Sequence, residues 1–329
     1  MPASLQDRCR VAALRAVDWI TSLLDSDGGL GPACTDLSCY YKVPYLMHLA
    51  GRPGDAHRLL ETIARRFLQR DGDFLTARDC RTADPVLASY PAYMSGWIAM
   101  AAHKLGRFSL SYPAWHHLLG FWSEAPPGFT LHPHGSPMAG FEVLTCAHLG
   151  LLALYFGDLE RACGAGLALR RFLDLQSSLP DRLFLRMTGD QQLVSEFPDE
   201  TAPLYVVDAH RPGQAWFFIG YPIAFLCRLH QATGEPEALK AARAYGAFAE
   251  ACRPRMVAEH FAHKVAWGAA ELAAATGEAS PRSLCEDIVG HLLMAQGESG
   301  DWMGEAPLST RLDQSAEVAI WLLEISAIA

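Results

Sequence analysis

No stretch of about 18 residues in this 329-residue chain is apolar and free of charge, so no membrane-spanning helix is expected. A basic stripe is missing as well. Lys and Arg number 27 against 36 Asp and Glu, a formal charge of −9, which argues against nucleic acid as a partner. There is no Cys-x-x-Cys. The nine cysteines (9, 34, 39, 80, 146, 163, 227, 252 and 285) are scattered and odd in number, the pattern of reduced, packed thiols in a cytosolic protein. The stretch MPASLQDRCRVAALRAVDWI has neither an apolar h-region nor a cleavage site. No signal peptide is therefore expected, and the expected location is cytoplasmic. Gly-x-Ser-x-Gly, a phosphate-binding loop and Gly-x-Gly-x-x-Gly are all absent, so neither a redox cofactor nor a nucleotide is expected.

What is present is apolar and helical. Apolar residues make up 50% of the chain, enough for a sizeable core, and they recur at helical spacing nearly throughout. Glycines at 51, 106, 157, 234 and 277 each end one run and are followed by a polar residue that can start the next, as expected of the left-handed C′ position. Twelve helices are predicted, near 4–25, 38–50, 53–70, 88–105, 108–122, 140–156, 158–175, 214–232, 235–252, 258–275, 280–296 and 311–327. Tight glycine turns alternate with longer loops. One segment, 183–197, reads as strand–turn–strand around Thr188-Gly189-Asp190. The expected fold is all-α: a single domain over 1–329, an (α/α)6 barrel of six helical hairpins with one small β-hairpin insertion.

The end of the eleventh helix carries Gln296, Gly300 and Trp302. The bland reading of this spacing is structural. The glycine lets the helix stop and reverse, the bulky residue plugs between hairpins, and the Gln bonds backbone groups left free at the helix end. These residues resemble the QxxxGxW repeat of the terpenoid cyclase and protein prenyltransferase superfamily. Gly72-Asp73-Phe74 and Gly28-Gly29-Leu30 are similar to weaker copies. The resemblance implies an α/α toroid of six inner and six outer helices. The superfamily's DxDD acid and DDxxD magnesium motif are absent, and Asp36 and Cys39 do not stand at its zinc-ligand spacing. Polyene cyclisation, prenyl transfer and a metal are therefore not carried over. Sugar epimerases and polysaccharide-degrading enzymes use similar barrels, so the fold alone leaves the reaction open.

If every long loop enters an inner helix, the long loops share one mouth, where helix N-termini favour an anionic or carbonyl-bearing ligand. Candidate catalytic groups at those starts are His210 or His263 as base, with Tyr41, Lys42 and Tyr90 as donors. Asp84, Asp313 and Glu317 are candidate orienting carboxylates. Tyr45, Tyr93, Trp97, Glu142, Arg211, Trp216, Tyr221, Trp267 and Trp302 are candidates for binding the substrate. Each has a plainer alternative: aromatics that fill the core, a solvated loop histidine at 210, and caps at Glu142 and Asp313. His260 and His263, three residues apart, lack a third ligand at fixed spacing. The expected protein is a metal-free, cofactor-free cyclase, isomerase or lyase acting on a small hydrophobic carbonyl compound. A carbohydrate-active barrel and a non-catalytic binding protein are the alternatives. No oligomeric state is implied.

Overall fold

In a computed structural model, which describes residues 4–136 and 138–328, all twelve predicted helices are present. They are α1 (Leu5–Ser22), α2 (Val43–Leu49), α3 (Pro53–Phe67), α5 (Tyr93–Lys104), α6 (Phe108–Leu118), α7 (Val143–Phe156), α8 (Leu159–Leu175), α9 (Phe217–Thr233), α10 (Pro236–Met256), α11 (His263–Thr276), α12 (Ala279–Ala295) and α13 (Leu308–Ile328). One short helix, α4 (Pro85–Ala88), was not anticipated. No helix among the described residues is long and apolar enough to cross a membrane.

The chain divides into two compact units, one formed by residues up to 120 together with 295–327, the other by 121–294. In the first, tight turns at Gly51 and Gly106 join α2 to α3 and α5 to α6. In the second, Gly157, Gly234 and Gly277 take the left-handed conformation between α7 and α8, α9 and α10, and α11 and α12. The hairpin partners differ in the way the alternation predicted. α3 buries one stripe, Ala56, Leu59, Leu60, Ile63 and Phe67, the helical period of an outer element. By contrast α5, α7, α9 and α11 are buried on every side over about ten residues each. Gly220 of α9 and Gly268 of α11 let these two helices touch backbone to backbone. A Cβ on Gly268 would stand 2.6 Å from the Gly220 carbonyl oxygen.

Several helix starts differ from expectation for local reasons. α2 begins at Val43 because Leu37–Cys39 form a separate 3-10 turn, capped by Asp36. α7 waits for Glu142, whose carboxylate accepts from Leu144 N and Thr145 N. α9 starts at Phe217 and carries Pro222 within it. α13 starts at Leu308, so Asp313 lies in its second turn rather than at its cap.

The strand–turn–strand segment folds less simply than its local pattern suggests. The turn forms, with Thr188 N–H donating to Gln192 O at 2.9 Å and a bridge between Met187 and Leu193. The flanking strands, however, find distant partners. Numbering strands in chain order, β1 (Trp122–Glu124) pairs with β2 (Pro127–Phe129), β3 (Phe141–Glu142) with β5 (Arg186–Met187), and β4 (Arg182–Phe184) with β6 (Val206–Asp208), all antiparallel.

The three Gly-containing motif copies adopt one turn. Asp25 N–H donates to Gly29 O at 2.9 Å, Gln69 N–H to Asp73 O at 2.8 Å and Gly297 N–H to Asp301 O at 2.9 Å. The plugs Leu30, Phe74 and Trp302 are buried. Gln296 bonds backbone carbonyls as expected, donating to Ala12 O at 2.8 Å and Gly300 O at 2.7 Å. The glycines do more than permit the turn. Gly28, Gly72 and Gly300 have φ of 82°, 89° and 95°, and each faces a carbonyl of a neighbouring helix: Arg58 on α3, Pro113 on α6 and Arg15 on α1. A side chain at Gly72 therefore meets backbone that cannot yield. At Gly51, also left-handed, a Cβ meets nothing within 4 Å. Gly51→Ala is expected to cost about 1–2 kcal/mol, the left-handed penalty alone. Gly72→Ala is expected to cost roughly another 1–3 kcal/mol for overpacking, read as the gap between the two variants in urea unfolding. Equal costs would mean the close approach at Gly72 is not rigid.

Candidate active site

In the first unit, the starts of two helices and the second and third turns of another meet at one buried cation. Lys42 precedes α2, Tyr93 opens α5, and Asp313 and Glu317 lie one turn apart on α13, the spacing that puts two side chains on one helix face. The Lys42 Nζ is 2.7 Å from Asp313 Oδ1 and 2.7 Å from Glu317 Oε2. Tyr93 Oη donates to the other Glu317 oxygen at 2.8 Å. Aromatic rings surround the cation. Nζ is 4.9 Å from the Tyr41 ring centre and 5.8 Å from that of Tyr93, distances of cation–π attraction. One turn deeper, Trp97 lies 5.6 Å from Tyr45 and 5.6 Å from Trp321, and Tyr45 Oη donates to Glu324 at 2.7 Å.

Burial alone would push the Lys42 pKa down. The carboxylates of Asp313 and Glu317 outweigh it and raise the pKa above the ordinary lysine value. Lys42 is thus a fixed ammonium, suited to neutralising developing negative charge and not to accepting a proton. Of the four polar groups, Asp313 has the most open side chain, at 11%.

Beside this cluster, Arg81 ties down the loop before α4. It contacts Asp73 through both nitrogens, at 2.7 and 2.5 Å, and Ser95 at 3.3 Å. Burial would raise the Asp73 carboxyl, but Arg81, His117 and the Phe74 N–H together hold it below its usual value. A carboxyl lowered on folding stabilises above its unfolded pKa, about 3.9, and that contribution fades as pH falls through the folded value. The stability gap between the wild-type chain and Asp73→Asn is therefore expected to shrink between pH 4 and pH 2 in urea titrations. A gap independent of pH would exclude an ionised Asp73.

In the second unit, the rings of His148, Tyr221 and Trp267 meet edge to face at 5.5 Å each. Lys264 Nζ is 4.7 Å from the Phe217 ring centre and 5.9 Å from that of Tyr221. Arg228 pairs with Glu271 at 2.6 Å, donates to Tyr155 Oη at 2.6 Å, and lies 5.3 Å from the Trp267 ring centre. His263 is buried, with Nδ1 2.7 Å from His260 O. Trp216 Nε1 donates to Glu259 at 2.7 Å. Both Glu142 oxygens are spent on the α7 start, at 2.6 Å to Leu144 N and 2.7 Å to Thr145 N. Burial keeps the Glu142 pKa raised despite those bonds.

The remaining candidates have other places and partners. His210 is 70% exposed on a loop, with Nε2 2.8 Å from Asp181. Arg211 is exposed and 3.7 Å from Asp208. Asp84 caps α4, accepting from Val86 N and Leu87 N at 2.9 Å each. Trp302 plugs its turn and Tyr90 is buried ahead of α5. Among the described residues no three His, Cys, Asp or Glu side chains gather as a metal ion would require.

Trp321, Glu324, Arg228 and Glu271 were not singled out in the sequence, though a signal existed. Trp321 and Glu324 continue the helical face of Asp313 and Glu317. Arg228 follows the candidate Tyr221 by seven residues, and Glu271 follows the candidate Trp267 by four.

No family profile matches the chain, and neither does any curated protein. Solved structures do. A D-mannose isomerase aligns with TM-score 0.68 at 12% identity, over 98% of this chain and 99% of that one. The α-1,6-mannanase of glycoside hydrolase family 76 from Salegentibacter sp. aligns with TM-score 0.60 at 13% identity, over 97% and 99%. A type II terpene cyclase from Scytonema aligns with TM-score 0.60 at 12% identity, over 99% and 100%. The fold class is thus that of the (α/α)6 barrels. At such identities the likeness carries the fold and leaves the reaction to the site.

Proposed function

We propose that this chain is an acid–base enzyme, an isomerase, cyclase or lyase, that moves a proton next to the carbonyl of a small metabolite. The observation that carries this is the buried connection Asp313–Lys42–Glu317–Tyr93. In the proposed step Asp313 takes a proton from the carbon beside the carbonyl. The C–H bonding pair forms a carbon–carbon double bond and the carbonyl π pair moves to oxygen, where the Lys42 ammonium and the Tyr93 hydroxyl neutralise it. Return of the proton to a second position completes an isomerisation. Tyr41, Tyr45, Trp97 and Trp321 supply an apolar wall that suits a hydrophobic skeleton.

A second reading has its own support. Exchanging an aldose with a ketose begins with the same proton abstraction on an open-chain sugar; the proton then returns to the former carbonyl carbon while the neighbouring hydroxyl proton passes to the former carbonyl oxygen, and one of the solved structures sharing this fold is a D-mannose isomerase. A site rich in hydrogen-bonding groups beside tryptophan rings suits a polyol. Glycan hydrolysis has less support. The mannanase made inactive in the solved structures lacks two neighbouring aspartates, and no two aspartates are adjacent in this sequence.

Incubation in D2O with two panels, aldoses and ketoses in one and apolar ketones and aldehydes in the other, separates the two readings. Deuterium is expected at the carbon beside the carbonyl in members of one panel. If neither panel nor a small-molecule cell extract gains deuterium over the enzyme-free control, the proposal fails.

A further inference from the structure

The three motif turns share one further feature, which lies in what binds the N–H of each plug. Leu30 N–H donates to Tyr40 Oη at 3.1 Å. Trp302 N–H donates to Ser315 Oγ at 2.9 Å. Phe74 N–H donates to Asp73 Oδ1 at 2.8 Å, and the same oxygen accepts from Ser95 Oγ at 3.0 Å. Tyr40 stands two residues before Lys42, Ser95 two after Tyr93, and Ser315 midway between Asp313 and Glu317. Every polar member of the cluster therefore lies two residues from a side chain bound to a motif turn.

We propose that the turns at 25–30, 69–74 and 297–302 are positioning devices that set the rotation of the three helical segments carrying Lys42, Tyr93, and Asp313 with Glu317. The proposal rests on reading that cluster as the active centre. Two residues along an α-helix lie about 200° apart around its axis. In α5 and α13 the tied serine thus holds the side of the helix opposite the cluster member, and the bond to the turn fixes how far that member is rotated. The ties are backed up. Tyr40 Oη donates to Cys34 O at 3.0 Å and accepts from Arg66 at 2.8 Å. Arg81 grips Asp73, and Asp301 accepts from Arg311 Nε at 2.7 Å, two residues before Asp313. The plugs Leu30, Phe74 and Trp302 are buried, and so are the bonds made at them, so each tie is shielded from water. Errors of about 1 Å in such a centre cost on the order of 100-fold in rate, which gives these residues a role beyond holding helices together.

The test uses the titration of Lys42, which needs no substrate. The chain has four lysines, so ¹³C-lysine labelling of the full-length protein gives four Cε signals to follow against pH. Ser315→Ala is expected to lower the Lys42 midpoint by about one pH unit or more, a tenfold change in protonation. Burial persists while the carboxylates lose their placement. Ser315→Thr, which keeps the hydroxyl, is expected to restore the midpoint. Ser111→Ala, a buried serine on α6 outside the network, is expected to leave it unchanged. Tyr40→Phe supplies an independent tie should Ser315→Ala fail to fold, with the same direction expected. If Ser315→Ala and Tyr40→Phe reduce stability but leave the Lys42 midpoint in place, the turns are structural only and the proposal is overturned. A shifted midpoint together with full turnover by Asp313→Asn would uphold the positioning and reject the catalytic reading, so the two fail separately.

Discussion

Lys42→Met is expected to lower the stability of the chain by about 3–5 kcal/mol, the usual cost of removing one partner from a buried ionic group. Met nearly matches lysine in volume, so little of the loss comes from a cavity. What is left is electrostatic: Asp313 and Glu317, which share the Lys42 ammonium at 2.7 Å each, would face each other with no cation between them. The pH dependence identifies the cause. The Lys42 pKa is raised in the folded chain, so its contribution is complete below the unfolded value of about 10.4 and is lost as pH rises through the folded one. The difference between wild type and Lys42→Met in urea unfolding should therefore be flat from pH 7 to pH 10 and fall above that. A difference under about 1 kcal/mol at pH 7, the range of an exposed ion pair, would mean that water reaches the cluster freely.

Asp313→Asn is expected to reduce turnover by roughly 10²–10⁴-fold, the usual contribution of a general base, with the fold retained. Asn keeps the size of the side chain and a hydrogen bond to Lys42 but cannot accept the proton. Tyr93→Phe is expected to act in the same direction, because the hydroxyl that donates to Glu317 at 2.8 Å is the donor proposed for the carbonyl oxygen. His210→Ala serves as the control. Its side chain is 70% exposed and pairs with Asp181 on a loop, so turnover should be unchanged. Initial rates of deuterium incorporation measure all three. An inactive His210→Ala alongside an active Asp313→Asn would move the chemistry away from the Lys42 cluster.

Most of the helices could be read in the sequence, because apolar periodicity and glycine C-caps act over a few residues. The strands differ because distant residues decide their partners. The strand pattern at 183–187 is real, yet its partners are Phe141–Glu142 and Val206–Asp208, which no local turn signal names. Glu142 reads from the sequence both as a binding residue and as a cap, and backbone N–H groups two and three residues on hold both its oxygens. Asp84 carried a readable warning, since an Asp followed by Pro is a common helix start. The ion cluster is the opposite case. Lys42, Asp313 and Glu317 were each suspected from their place at helix starts. Their union, across 275 residues between Lys42 and Glu317, could not be read from spacing.

A buried ionic cluster is weak evidence for stability, because apolar residues of similar volume usually do as well or better by about 1–4 kcal/mol. That makes one measurement decisive: the unfolding free energy of a chain carrying Lys42→Met, Tyr93→Phe, Asp313→Val and Glu317→Leu together, with deuterium incorporation followed on the same sample. Stability equal to wild type or higher, with incorporation abolished, is the result expected if these groups are kept for chemistry. Incorporation at the wild-type rate in that chain would contradict it.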